Sequence, residues 1–460
     1  MAAPYDNAQT WLAEGSNLIR TYYMGFPDQQ YRFGRINKVF QFPSKRPIQG
    51  NGVVVQVRSG NQYSARVNND MLGGFPTPRS IVANTYTVTA SETAASNHFR
   101  RIDNSLQVSW FDVKRAYESA ISPIDWVADM IKQSDADIAE TMSLHRNLDS
   151  TARVGTISGT PKKNDKQFYA DCAALTTTGG ARFVLANGSV SALPRNRVID
   201  VYNGATPRFS VYVTDYNPID QSVGVLGITG GVPSTSVDIS AIAANDAIYI
   251  SGEYNKGLLS VGHWFSTPTA SEDFFGRDRT TADYRWLAVH RYAPSASNVQ
   301  LSKSHIDAAA LQIAYRQEDD NTGYVAVMPP DLLQRYRNEI GAMIMPVQDP
   351  QTGNKIADYG FDGQVYRHPV LGKTELVADA FAATNQIRLL KPSDWEMLPY
   401  INNGNFEWLP GDGNAGNWYR VEDGTAGNGR TVIMKMDGFL MFADICLNPN
   451  RQIQIANVTA

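Results

Sequence analysis

Of the 460 residues only two are cysteine, Cys172 and Cys446. Two thiols cannot form a disulfide framework, so they read as reduced or buried side chains, and the fold must rest on its hydrophobic cores. Charge is also scarce, at 19% of residues against about 25% in typical domains. A surface this short of charge hints that much of it meets other protein. The net charge is −4, so no basic excess points to tight nucleic-acid binding. No run of about 18 apolar residues occurs, which argues against a membrane-spanning helix. The start, MAAPYDNAQTWLAEG, has neither a basic beginning nor an apolar core, so no secretory signal is expected and the chain reads as soluble and intracellular when made.

Catalytic signatures are equally scarce. The six histidines (His98, His145, His263, His290, His305 and His368) include no pair at a metal-ligand spacing, and neither cysteine sits beside one. Phosphate-cradling glycine loops and the nucleophile elbow are missing. The loop beginning at Asp412 imitates a calcium loop through Asp412 and Asn414. Gly416 then stands where an oxygen ligand is needed, Asn417 where the turn glycine is needed, and Asp423 where glutamate closes the site. It reads as an exposed turn. Glu318, Asp319 and Asp320 read as a solvated turn after a helix. The expectation is no catalytic, cofactor-binding or metal site, no cofactor, and no enzyme activity. A carbohydrate-active enzyme or carbohydrate-binding protein is the alternative of a different class, since two distant carboxylates could stand among the many aromatics.

What is present is a long amphipathic pattern, SPIDWVADMIKQSDADIAETMSLHRN, over 122–147. Ile124, Val127, Ala128, Ile131, Ile138, Met142 and His145 recur at helical spacing on one face. Ser122 suits the N-cap, Pro123 the first turn, and Asp125 completes a capping pattern. About 25 residues at 1.5 Å each make a rod of roughly 37 Å, long enough to hang other pieces on.

Before the helix, residues 1–47 are an aromatic arm with a candidate strand at Ile36–Phe42. Val53–Arg58 and Ile81–Thr89 then read as the strands of an extended hairpin, and Leu106–Trp110 as a short strand. A two-stranded hairpin is marginal alone and needs a packing partner. After the helix comes RVGTISG, and from about 195 to 265 short strands with Gly, Pro and Asn turns suggest a compact all-β module. From about 280 the pattern becomes α/β. A helix starts at Ser304 with Ile306, Ala309, Ala310 and Ile313 inward. A strand at Tyr324–Met328 follows, then a helix opened by Pro330 with Leu332, Leu333, Tyr336 and Ile340 inward. Strands follow at Gly363–Arg367, Thr374–Phe381 and Ile387–Leu390. Thr431–Met436, Phe439–Cys446 and Gln452–Val458 close the chain.

This order of elements resembles the major capsid proteins of tailed bacteriophages, whose fold is shared with encapsulin compartments and the herpesvirus capsid floor. LQVSWFDVKRAYESAISPIDWVADMI (Leu106–Ile131) is similar to the entry into that family's spine helix. SHIDAAALQIAYR with YVAVMPPDLLQRYRNEIG (Ser304–Gly341) is similar to its axial helix, strand and helix. ADICLNPNRQIQIANV (Ala443–Val458) is similar to its closing strands, and Asn245–Phe265 to the β module inserted in some members.

The resemblance implies an α+β fold in six parts. These are an N-terminal arm (1–47), an extended β-hairpin loop (48–95) and a peripheral domain with the spine helix (96–190). An inserted all-β module (191–265), an axial domain (266–430) and C-terminal strands returning to the peripheral domain (431–460) complete it. It implies self-assembly as hexamers and pentamers into an icosahedral shell around double-stranded DNA, with an encapsulin-like compartment as the near alternative. Expected partners are other copies, a portal protein, a separate scaffolding protein because only residues 1–47 precede the hairpin, a decoration or cement protein, and packaged DNA held without sequence preference. No membrane is implied. The expected location is the virion capsid, assembled in the host cytoplasm. Some members weld subunits through a lysine in the extended loop. Between Gln49 and Lys114 this chain has no lysine, so no such cross-link is expected.

Overall fold

The computed structural model describes residues 36, 52–57, 84–89, 98–109, 134, 137–158, 162–163, 170–171, 181–193, 197–217, 221–229, 232–234, 243–270, 274–281, 284–316, 323–341, 365–368, 371–400, 406–409, 419–422 and 432–460. Ser134 and residues 137–147 are helical, which places the C-terminal end of the long helix. Its expected cap at Ser122, Pro123 and Asp125 lies outside the described residues, as do Cys172, the Asp412 loop and Glu318–Asp320. Ile138, Met142 and His145 are buried as their spacing predicts, and Asp137 and Glu140 stay exposed. The last turn departs from the amphipathic pattern: Ser143, Leu144, Arg146 and Asn147 are buried too. This end is enclosed on all sides.

The hairpin strands are Gly52–Val57 and Asn84–Thr89, paired antiparallel with Val53 opposite Val88 and Val55 opposite Tyr86. The sequence suggests a hairpin that buries little of itself within its own chain. Its base does the opposite. Val53, Val55, Tyr86 and Val88 enter a cluster with Trp264, Phe274, Phe275, Trp395 and Cys446. Val54, on the other face of the pleat, is 61% exposed. Of the expected Ile36–Phe42 strand only Ile36 is described, and it is fully buried in the same cluster.

The β-rich module is larger than 195–265 and closes on itself. Ser222–Thr229, Thr206–Asn217, Val198–Asn203, Ala247–Ile250, Gly155–Ile157 and Ala181–Gly188 pair in that order. Ala181–Gly188 then pairs back to Ser222–Thr229, giving a ring of six antiparallel strands. Two of the six precede residue 191, so the barrel takes strands from the stretch expected to be peripheral. The correction has a simple origin: pairing across a closed ring joins segments that are distant in sequence and leaves no edge strand in the ring. Phe183 and Leu185, Ile199 and Val201, Val211 and Val213, and Val223 and Val225 fill the interior at a period of two, together with Leu144 and Leu148 from the helix end. Arg182, 2% exposed, sits at the closing seam. Its Nη1 donates to Asp215 at 2.8 Å and its Nε to Ser222 at 3.1 Å. Gly224 stands between Arg182 and Asp215 in register. A Cβ there would lie 1.9 Å from Asp215 Oδ1, so any larger residue would push this half-exposed carboxylate out of its present position.

A six-stranded mixed sheet forms the α/β part. Its order is His290–Tyr292, Ile453–Ala456, Gln386–Leu390, Val325–Met328, Gly372–Ala378 and Val365–His368. Helices Lys303–Arg316 and Pro330–Gly341 supply Ile306, Ala309, Ala310, Ile313, Leu332, Leu333 and Tyr336 to its core. Val325–Met328 and Gly372–Ala378 run parallel, with the second helix and then Val365–His368 between them in chain order. The last strands therefore do not all return to the peripheral region. Ile453–Ala456 lies inside this sheet, because Ile453 and Ile455 point into its apolar core.

Val432–Cys446 is one strand of 15 residues where two were expected. Asp437-Gly438 reads as a turn signal. Here it stays extended, because Arg100–Ser109 pairs with the long strand continuously from Ile433 to Phe442. Trp395–Pro399 pairs along its end, from Phe442 to Cys446.

Candidate functional site

The end of the long helix is where the barrel, the six-stranded sheet, the C-terminal strand and the hairpin core converge. Arg146 is fully buried. Its Nε donates to Asp444 Oδ2 at 2.8 Å and its Nη2 to Oδ1 at 3.1 Å, a two-pronged pairing. Its guanidinium lies 5.5 Å from the Phe442 ring centre. The Ser260 hydroxyl donates to the same carboxylate. Trp264 Nε1 donates to the Asp444 carbonyl at 3.0 Å, and the Asp444 N–H donates to Leu259 at 3.1 Å. One aspartate thus joins the helix, the C-terminal strand and the segment that follows the barrel.

The next helical residue makes a second joint. Arg388 Nη1 donates to Asn147 Oδ1 at 3.2 Å and Nη2 to its carbonyl at 3.1 Å. Burial lowers the Arg388 pKa to about 10, against the opposing pull of Asp379 and Asp149. At that value it remains a cation at neutral pH. Asp379 accepts the N–H of Ile36 at 3.0 Å and of Phe381 at 2.9 Å. Burial raises its pKa, and those N–H groups, Asn147 and Arg388 hold it back. Ile36, in the expected N-terminal arm, is thereby tied to the six-stranded sheet.

A third joint centres on the fully buried Gln452. Its Oε1 accepts the Lys391 N–H at 2.9 Å and Trp395 Nε1 at 3.2 Å, and its Nε2 donates to Asp394 at 3.2 Å. Backbones meet closely here as well. A Cβ on Gly262 would fall 1.8 Å from the Leu148 carbonyl oxygen.

Beside Gly262, His263 is 5% exposed, stacked on Phe274 at 4.5 Å and edge-on to Phe275 at 5.7 Å. Burial, and then the positive groups Arg279, His98 and Arg100, push its pKa well below the usual histidine range. It is a neutral ring. Arg279, also buried, lies over Phe274 at 3.9 Å and donates to the Trp264 carbonyl at 3.0 Å. The His98 Nδ1 meets the Thr89 N–H at 2.9 Å, fastening the hairpin strand to the same box.

These groups fasten elements to one another. The Asp444 and Asp379 carboxylates are engaged by guanidinium, hydroxyl or backbone donors. Among the described residues no group of three or more His, Cys, Asp or Glu could hold a metal ion. Cys446 is buried, and burial raises its pKa, which makes it a poor nucleophile. Sequence spacing alone assigns none of these residues a joining role. A signal was there in part: Arg388 interrupts the apolar run IRLL and Asp444 the run FADIC, and a charge in such a run needs a buried partner. Nothing local pairs Arg146 with a residue 298 positions away.

No family model matches the sequence, and no curated protein matches it. Solved structures do align with it along most of its length. A chain of the cyanophage A-1(L) capsid asymmetric unit aligns over 91% of this chain and 92% of its own, at 9% identity and a TM-score of 0.48. One from the capsid of a native GTA particle aligns over 93% and 90%, at 8% identity and a TM-score of 0.37. One from the satellite phage P4 procapsid, which includes the size determination protein, aligns over 92% and 95%, at 6% identity and a TM-score of 0.35. The chain is thus similar, over about nine-tenths of its length, to chains of phage and GTA capsids.

Proposed function

We propose that this chain is a structural protein that assembles into a closed shell: the major capsid protein of a tailed bacteriophage. Copies associate as hexamers and pentamers into an icosahedral capsid around double-stranded DNA. Its parts would serve as N-terminal arm, extended loop, peripheral domain, inserted barrel and axial domain. A portal, a separate scaffolding protein and a decoration protein are its expected partners, and the virion its location. It does no catalysis in this role. The supporting observation is the fastening of the hairpin. Its base is locked into the central core with Trp264 and Trp395, and the C-terminal strand runs back along Arg100–Ser109. A hairpin anchored rigidly at its base suits a lever that reaches over a neighbouring subunit. Interlocked subunits of this kind exceed the standard 1,200–2,000 Å² interface. A charge-poor, mildly acidic chain also suits a wall that holds DNA densely without gripping it.

The test is negative-stain electron microscopy of the purified protein, with light scattering for mass and a nucleic-acid stain on the same particles. Closed shells or capsomer rings are expected, and native particles should contain double-stranded DNA. Empty native shells carrying a protein cargo would favour the compartment reading instead. A monomer of 50.7 kDa that stays monomeric with its scaffolding protein present would overturn the proposal.

A further inference from the structure

A half-open cavity of about 640 Å³ lies at the helix-end junction. Its wall includes Asp149 and Arg153 from the turn after the helix, Tyr249 from the barrel, His263, and Arg291 and Arg388 from the six-stranded sheet. Three arginines line it with one carboxylate, and Asp379 behind the wall also faces Arg388, which leaves one arginine in excess in a chain whose net charge is −4. The wall carboxylate is already engaged. Asp149 Oδ2 pairs with Arg153 Nη2 at 3.4 Å, and its Oδ1 accepts the Thr151 N–H at 3.0 Å. Arg291 is exposed and donates to the neutral Thr267 hydroxyl at 3.2 Å. Arg388 is 5% exposed, and its Nε has no protein acceptor among the described residues. His263 is equally buried, and neither of its ring nitrogens has a protein partner among them. A buried donor without an acceptor is costly, so a site that leaves two such side chains on a cavity wall favours a ligand that supplies acceptor oxygens. Much of the remaining wall is amide and hydroxyl.

We propose that this cavity binds a small multivalent oxyanion, of phosphate-ester or polycarboxylate chemistry, with Arg388 and Arg291 as its cationic contacts. The arginine excess disfavours a cation, and the polar wall disfavours an apolar ligand. A bound oxyanion would touch the helix turn, the barrel and the six-stranded sheet together. Occupancy therefore stabilises the junction by mass action.

Inorganic pyrophosphate is the probe. Isothermal titration is run on the soluble chain and on assembled particles, at matched ionic strength against sodium chloride, with citrate as competitor. Saturable one-to-one binding, displacement by citrate and a rise in Tm with pyrophosphate are expected. Arg291→Gln should weaken binding at least tenfold, since it removes one of two cationic contacts. Because Arg291 is exposed, the ligand-free Tm should not change, which separates lost binding from lost folding. No saturable heat, or equal affinity in R291Q, would overturn the proposal. The site lies within one chain, so that result would leave the shell reading untouched.

Discussion

Arg146 and Asp444 are both fully buried, which makes their pairing a question of what happens when one partner goes. Removing one side of a buried ion pair strands the other, at a cost of about 3–5 kcal/mol, whereas replacing both by apolar groups is often near neutral. Arg146→Met alone and Asp444→Leu alone should each lower stability by that order in denaturant unfolding. The double variant should fall well short of their sum. Additive losses would show that the two act independently. His263 provides a pH dependence of known sign. The unfolded chain takes up a proton near pH 6.5, while the buried ring resists it. Below about 6.5 the unfolded state therefore binds the extra proton, and stability falls as pH falls; above it the ring contributes nothing. Asp379 and Asp394 have raised values through burial. They act oppositely, losing stability as pH rises above the usual 3.8. Comparing His263→Phe with the parent isolates the histidine. The variant should show a flatter loss between pH 6.5 and 5 in thermal unfolding, and an unchanged slope would refute the assignment.

At the scale of elements, the barrel seam and the hairpin base carry the sharpest expectations. Gly224→Ala pushes a methyl group into Asp215 and breaks its pairing with Arg182. A loss of about 1–3 kcal/mol is expected, the range for overpacking a fitted site. Chemical-shift changes should centre on Ala181–Gly188 and Thr206–Asn217. The two faces of the Gly52–Val57 strand should respond unequally. Val55→Ala removes fully buried methyls from the central cluster and should cost about 1–3 kcal/mol in Tm-derived stability. Val54→Thr, on the exposed face, should stay within about 0.5 kcal/mol. Should Val54 lie under a neighbouring subunit, the same substitution would weaken assembly while leaving the single chain's Tm alone. The alternation that separates these two residues is visible in VVVQV. The cluster that buries Val55 is not, since its members Trp264 and Trp395 lie some hundreds of positions away.

For the whole molecule, the lysine-free stretch between Gln49 and Lys114 predicts a single band at the mass of one chain when particles are denatured and run on a gel. A ladder of covalent oligomers would contradict it. Much of the architecture is local in origin and was therefore legible. Helical spacing around Ile138 and Met142, the inward stripe of Ile306, Ala309, Ala310 and Ile313, the proline break at Pro329–Pro330, and the strand alternations of 198–250 all depend on neighbours within a few residues. The remainder depends on which distant segment arrives. Closure of the barrel by Gly155–Ile157 and Ala181–Gly188 is decided by backbone hydrogen bonds that no residue pattern announces. The Asp437-Gly438 step stays straight because Arg100–Ser109 holds its register, and Ile453–Ala456 joins the sheet whose core its isoleucines fit. The buried joints at Arg146, Asn147 and Gln452 follow the same rule. The sequence by itself determined the helices and strands with clear local spacing and the lack of a lysine between Gln49 and Lys114. Tertiary structure alone decided where they lock together, because a buried charge is tolerated only when its partner is delivered by the rest of the fold.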